Sequence, residues 1–192
     1  MNPANKLTLA RIMLIPVFIV FFAEYPVRLA DSNAFIQFLN HYGTYMAVAV
    51  FILASATDKL DGYIARKYHL VTNLGKLLDP LADKLLVSVA LIMMVEAGMI
   101  PAWMAFVMIG REFIVTALRM AASGRGIALA ADRYGKWKMV SQVVAITAVL
   151  LNNYPFQWLT SLRVDSFLMV VAVMMTVLSG YHYVVKNVKL FI

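Results

Sequence analysis

Six apolar stretches punctuate the chain, at roughly Leu7–Ala23, Thr44–Lys59, Leu77–Ala97, Ala102–Ser123, Lys138–Leu151 and Phe167–Val185. A helix needs about 20 predominantly apolar residues to cross a hydrocarbon core. Most of the stretches approach that length; the fifth is short and must borrow its flanks. None shows the apolar–polar alternation of a lipid-facing strand. Backbone groups in lipid must be satisfied within the segment, which leaves helices. The pattern therefore predicts an all-α integral membrane protein: a six-transmembrane-helix bundle in a single domain, 1–192. The first stretch is followed by five more and by no small-residue cleavage pattern, so it is read as a membrane helix, not a signal peptide. The polar run Asn2–Lys6 ahead of it suits the interface.

Composition sharpens this picture. Hydrophobic residues make up 62% and charged residues 14%, with a mean hydropathy of +0.79. Soluble domains are about half apolar and a quarter charged. A 192-residue chain cannot hide that excess in one core, so its solvent is lipid. The chain has no cysteine, which removes disulfides, thiolate metal sites and Cys nucleophiles. His41, His69 and His182 are scattered without zinc spacing.

Charge sets the orientation. Of the seventeen Lys and Arg, only Arg28 and Arg163 fall on the side that carries Glu24, Asp31, Glu96 and Asp165. Apart from the mid-span Arg111, the rest fall on the other side, which the positive-inside rule makes cytoplasmic. Both termini are then cytoplasmic. The net charge of +7 points to anionic lipids or substrates as partners, with no call for nucleic acid. The simplest location is a plasma (inner) membrane, since no organellar transit pattern is seen.

Four of the ten acids lie at the cytoplasmic ends of the second and third stretches: Asp58, Asp61, Asp79 and Asp83. Spacings of three and four put each pair on one helix face. The short connector His69–Asn73 makes the two helices antiparallel, with the pairs at one depth. Four carboxylates so placed need cations. One supply is Lys59, Arg66, Lys67 and Lys84 in the headgroup region. The other is a pair of hard divalent ions, Mg²⁺ or Mn²⁺, about 4 Å apart, as used in phosphoryl transfer. Gly62 and Gly75 mark close helix packing or close approach of a ligand. Arg66 can fork onto a phosphate or snorkel to the interface. Asp79-Pro80 reads either as N-cap and N1 or as the interior of a helix begun near Thr72.

Written out, the stretch is Asp58-x2-Asp61-Gly62-x2-Ala65-Arg66-x8-Gly75-x3-Asp79-x3-Asp83. It resembles the signature of the CDP-alcohol phosphotransferase family, with every fixed position filled, and the six-span layout is similar over essentially the whole chain. The resemblance implies that Asp58, Asp61 and Asp79 ligate two metal ions. Asp83 would complete the site and act as general base. Gly62, Ala65, Arg66, Thr72 and Gly75 would surround the cytidine diphosphate of CDP-diacylglycerol. In Asn5-x2-Thr8-x2-Arg11, Asn5 and Thr8 resemble the family's N-terminal nucleotide contacts. The implied reaction is attack of an alcohol on the phosphorus bearing the diacylglycerol, releasing CMP. Direct attack is preferred over a carboxylate nucleophile, because metal-bound carboxylates are poor nucleophiles. A homodimer contact is also implied, and the thirteen Met serve either that contact or core and lipid faces.

The acceptor is read from the second half. Arg111 sits near mid-span, where a lone Arg costs about 2.5–3.5 kcal/mol on insertion scales. Its neighbour Glu112 diverges by about 100° on a helix and is not expected to face it. Arg119, Lys136 and Lys138 complete an expected anion pocket with Arg111. The run Gly110–Arg119 and Gly135-Lys-x-Lys138 are similar to the branch of the family whose acceptor is glycerol 3-phosphate. Inositol phosphate is the nearest alternative acceptor, and serine needs no such pocket. A divalent-cation transporter would also use facing carboxylates, but no second polar layer continues a path across the membrane.

Overall fold

The computed structural model describes residues 3–26, 28, 31, 33–67, 73–124, 133–158, 160 and 162–188, with the backbone alone at 3–7, 58–67, 73–81, 83, 133–134 and 188. Among the described residues six long α-helices follow one another: α1 (Pro3–Phe22), α2 (Ala34–Lys67), α3 (Asn73–Glu96), α4 (Ala102–Gly124), α5 (Arg133–Leu150) and α6 (Val164–Val188). A 3₁₀ turn, Phe156–Trp158, precedes α6, and no strand occurs among the described residues.

Each apolar stretch falls on one helix to within a residue at its end, and most helices run well beyond it at the other. α2 has 34 residues, about 50 Å, where the apolar run alone had suggested half that. Hydropathy marks where lipid is tolerated; hydrogen bonding continues until a breaker or cap stops it. Nothing in 34–43 or 59–67 breaks the helix, so the acidic motif lies on its body. α1 continues through Pro16, whose missing N–H frees one carbonyl, a break that membrane helices tolerate. α3 begins at Asn73, so Asp79-Pro80 is interior to the helix and not its start. α5 takes its extra turn from the polar side, beginning at Arg133.

The chain divides into two compact units, Met1–Glu96 and Ala97–Ile192. In the first, α1 packs along both α2 and α3. The buried Phe18 ring stacks on Phe22 at 5.7 Å and meets Phe51 at 6.2 Å. Gly43 lets α1 pass close: a Cβ there would fall inside contact distance of the Phe21 carbonyl oxygen and 3.3 Å from its carbon. Ala47, Ala54, Ala90 and Leu91 complete this core.

In the second unit α6 packs against α5 and α4 over Met108, Ile146, Leu150, Met169 and Ala172. Its start is pinned by side chains. Arg163 donates to buried Asp165 through Nε (3.0 Å) and Nη2 (2.8 Å), which raises the guanidinium pKa further. The Asp165 N–H donates to Asn153 Oδ1 (3.1 Å), and Asn153 Nδ2 donates to the Leu162 carbonyl (3.1 Å). Asn152 and Asn153 hold left-handed backbone, φ 50° and 66°, which asparagine tolerates better than most residues.

The outward faces are apolar. Phe106 is 78% and Phe113 71% exposed on α4, with Phe167, Met174 and Tyr181 exposed on α6. Such faces need lipid or protein cover. Ala34–Thr57 and Val164–Asn187 are each long and apolar enough to cross a membrane. Methionine occurs in both settings: Met94, Met108 and Met169 are buried, while Met13, Met120 and Met174 face outward.

Candidate active site

In the first unit the acidic motif is divided between two helix ends. The last three turns of α2 carry Asp58, Asp61, Gly62, Ala65 and Arg66; the first three turns of α3 carry Gly75, Asp79 and Asp83. Thr72 lies outside the described residues, and of the others, as of Asn5 on α1, the backbone alone is described. Positions 58, 61, 62 and 65 recur on one face of α2, and 75, 79 and 83 on one face of α3. The antiparallel contact of Phe18 with Phe51 sets the level of α1 against α2. With Phe21 passing close over Gly43, that contact puts the start of α1, with Thr8 and Arg11, toward the end of α2 that carries Asp58 and Asp61. Thr8 and Arg11 are each 1% exposed, and both are engaged by partners. A guanidinium fully buried there requires nearby negative charge or acceptors. The donor set of the motif is oxygen only, which suits hard divalent cations.

The cationic cluster belongs to the second unit. Arg111, the tenth residue of α4, has a side chain only 12% exposed. Its Nη2 donates to Ser179 Oγ on α6 (2.6 Å) and its Nη1 to Glu112 Oε1 (3.2 Å), while its buried Nε has no partner among the described residues. The expectation that Glu112 would not face Arg111 is thus corrected. Successive Cβ atoms diverge, but both arms are long enough to curl back together. The same Glu112 oxygen takes the Lys138 ammonium from α5, whose side chain is 7% exposed. One carboxylate therefore joins a buried cation, Lys138, and a part-buried one, Arg111. Arg119, two turns beyond Arg111, donates from Nε to the Tyr183 hydroxyl (3.2 Å) and lies 5.3 Å from that ring's centroid. Lys136 is exposed and sits about 200° around α5 from Lys138, so it does not join the cluster.

Sequence reasoning missed the α6 side of this cluster. Thr176, Ser179, Gly180, Tyr183 and Asn187 form a buried small-and-polar stripe at helical spacing. That spacing inside an apolar span was the available signal. Gln142, one turn beyond Lys138, is 2% exposed, and its Nε2 has no partner among the described residues.

The model of the CDP-alcohol phosphatidyltransferase family matches residues 1–178. The chain is 48% identical over 188 residues to the CDP-diacylglycerol–glycerol-3-phosphate 3-phosphatidyltransferase of Bacillus subtilis (strain 168), covering 97% of this chain and 95% of that one. It is 34% identical to the protein of the same name from Rickettsia typhi, over 95% of this chain and 94% of the relative. A third of that name, from Haemophilus influenzae, is 40% identical over 77% of this chain and 76% of its own.

Proposed function

Because the chain belongs to the CDP-alcohol phosphatidyltransferase family, we propose that it transfers the phosphatidyl group of CDP-diacylglycerol to sn-glycerol 3-phosphate, giving phosphatidylglycerophosphate and CMP. The observation that carries this is the near-full-length likeness to the Bacillus subtilis enzyme of that activity. The cations Arg111 and Lys138, with Arg119 near them in sequence, are the chemistry an acceptor phosphate needs. Family membership sets aside the cation transporter.

In this reading the glycerol 3-phosphate hydroxyl attacks the phosphorus bearing the diacylglycerol, and the bond to the CMP oxygen breaks. Asp83 accepts the hydroxyl proton. Asp58, Asp61, Asp79 and Asp83 would hold two divalent ions, in keeping with a family generally dependent on such metals. Bound there, Mg²⁺ or Mn²⁺ supplies charge neutralisation for the diphosphate and the departing CMP. Asn5, Thr8, Gly62, Ala65, Arg66, Thr72 and Gly75 hold the cytidine diphosphate. Arg111, Arg119 and Lys138 orient the acceptor phosphate. Exposed Lys136 attracts it from the aqueous side.

The same reading makes the chain a single functional domain of six membrane spans, with termini and site on the cytoplasmic face of the plasma membrane. It works among membrane lipids as a homodimer. The test is CMP release from CDP-diacylglycerol by purified protein with Mg²⁺. The acceptors offered are glycerol 3-phosphate, inositol phosphate, serine and none. Release dependent on glycerol 3-phosphate is the expected result. Release with another acceptor alone overturns the acceptor, and no release with any overturns the activity.

A further inference from the structure

The phosphate-binding arginines on α4 need something to hold them, and the structure offers one face of α6. Ser179 and Tyr183 are one turn apart, both buried, and each meets one arginine of α4. α4 and α6 run in the same direction, since Arg111 pairs with Ser179 and the later Arg119 with the later Tyr183. Between them lies Gly180. A Cβ on Gly180 would stand 2.9 Å from Arg111 Cγ. That atom is on the stem of the side chain, so the whole arm would have to move. The stem of Arg111 thus runs in the space left by a missing side chain, while the adjacent serine fixes its tip.

The geometry points to Ser179, Gly180 and Tyr183 as positioning residues for the acceptor phosphate, acting through Arg111 and Arg119. This rests on the glycerol 3-phosphate reading given above. Arg111 spends Nη2 on Ser179 and Nη1 on Glu112, and keeps a buried Nε with no acceptor among the described residues. A buried donor without a partner is uncommon and calls for one. The arrangement holds the guanidinium plane fixed and leaves that donor for an oxygen of the incoming anion. Tyr183 does the same for Arg119 with a hydroxyl at one edge and a ring face, which leaves the Arg119 terminal nitrogens for the anion. Pre-ordering of this kind lowers the ordering cost of binding.

The test uses the full chain in lipid micelles. Gly180→Ala, Ser179→Ala and Tyr183→Phe are compared with wild type for both substrates' KM, for kcat, and for protection against thermal unfolding by glycerol 3-phosphate. Gly180→Ala and Ser179→Ala are expected to raise the glycerol 3-phosphate KM about tenfold or more, the size of a lost charged hydrogen bond. The CDP-diacylglycerol KM should stay within about twofold. Tyr183→Phe keeps ring and volume and should give a smaller shift of the same kind. Glycerol 3-phosphate should raise the wild-type Tm and protect Gly180→Ala much less. An unmoved glycerol 3-phosphate KM, or parallel losses for both substrates, overturns the positioning role. Should Gly180→Ala not fold, Ser179→Ala and Tyr183→Phe decide by the same split. Failure of the acceptor reading looks different: wild type itself would show neither turnover with glycerol 3-phosphate nor protection by it.

Discussion

Glu112 holds two cations at once, so its removal has a consequence of definite sign. Its side chain is 17% exposed, against 12% for Arg111 and 7% for Lys138. Glu112→Gln keeps the shape and changes the cluster from one net positive charge to two. Breaking a buried ion pair by removing one partner costs about 3–5 kcal/mol, because the other charge is left uncompensated. Lys138→Met leaves Glu112 paired with Arg111 and loses one charged hydrogen bond, about 1.5–3 kcal/mol. In the Glu112→Gln background the same lysine change no longer breaks an ion pair with position 112, so its cost there should be smaller. The two substitutions should therefore couple by about the 1.5–3 kcal/mol of that shared bond, well outside the additivity of independent sites. Equilibrium unfolding in mixed micelles, followed by helical circular dichroism as denaturing detergent is added, measures all four corners of the cycle. Additive costs, or a Lys138→Met penalty unchanged by Glu112→Gln, would refute the shared carboxylate.

Gly43→Ala forces α1 away from α2 at Phe21. Overpacking costs about 1–3 kcal/mol and helix propensity returns about 1 kcal/mol, so a net fall in Tm is expected, and an unchanged Tm contradicts the close crossing. Asn153→Gly and Asn153→Ala both lose the amide bonds to Leu162 and Asp165, but alanine must also hold φ 66°. Alanine should be the less stable by about 1 kcal/mol, and equal stability argues against the left-handed turn. Chelation with EDTA should abolish CMP release, and Mg²⁺ or Mn²⁺ should restore it. Asp83→Asn should lower kcat about 10²–10⁴-fold, the usual weight of a general base, and near-wild-type turnover rules it out of that role.

Much of the architecture was legible because lipid imposes a simple rule on the chain. Each apolar stretch became part of one helix, and the spacing of Asp58, Asp61, Asp79 and Asp83 could be read before any coordinates. Helix ends were less legible. α2 runs on through Asp58 and Lys67 because polar residues end a span without ending a helix. The Arg111–Glu112 contact was not legible because adjacent Cβ directions diverge, and only the reach of two long side chains brings their tips together. Ser179 could not be paired with Arg111 from sequence at all. The two are 68 positions apart, and only the packing of α6 on α4 joins them.

The shortness of α5 has a consequence for the enzyme's surroundings. Its 18 residues span about 27 Å, a little less than the roughly 30 Å hydrocarbon thickness of a typical bilayer. Lys138, the partner of Glu112, is its sixth residue, within two turns of the start of the helix. In the six-span arrangement proposed above, a thicker bilayer would thin locally around α5 or draw its ends deeper, and a thinner one would relieve both. In that arrangement the acyl-chain length of the surrounding lipids would bear mechanically on the cluster proposed to hold the water-soluble substrate.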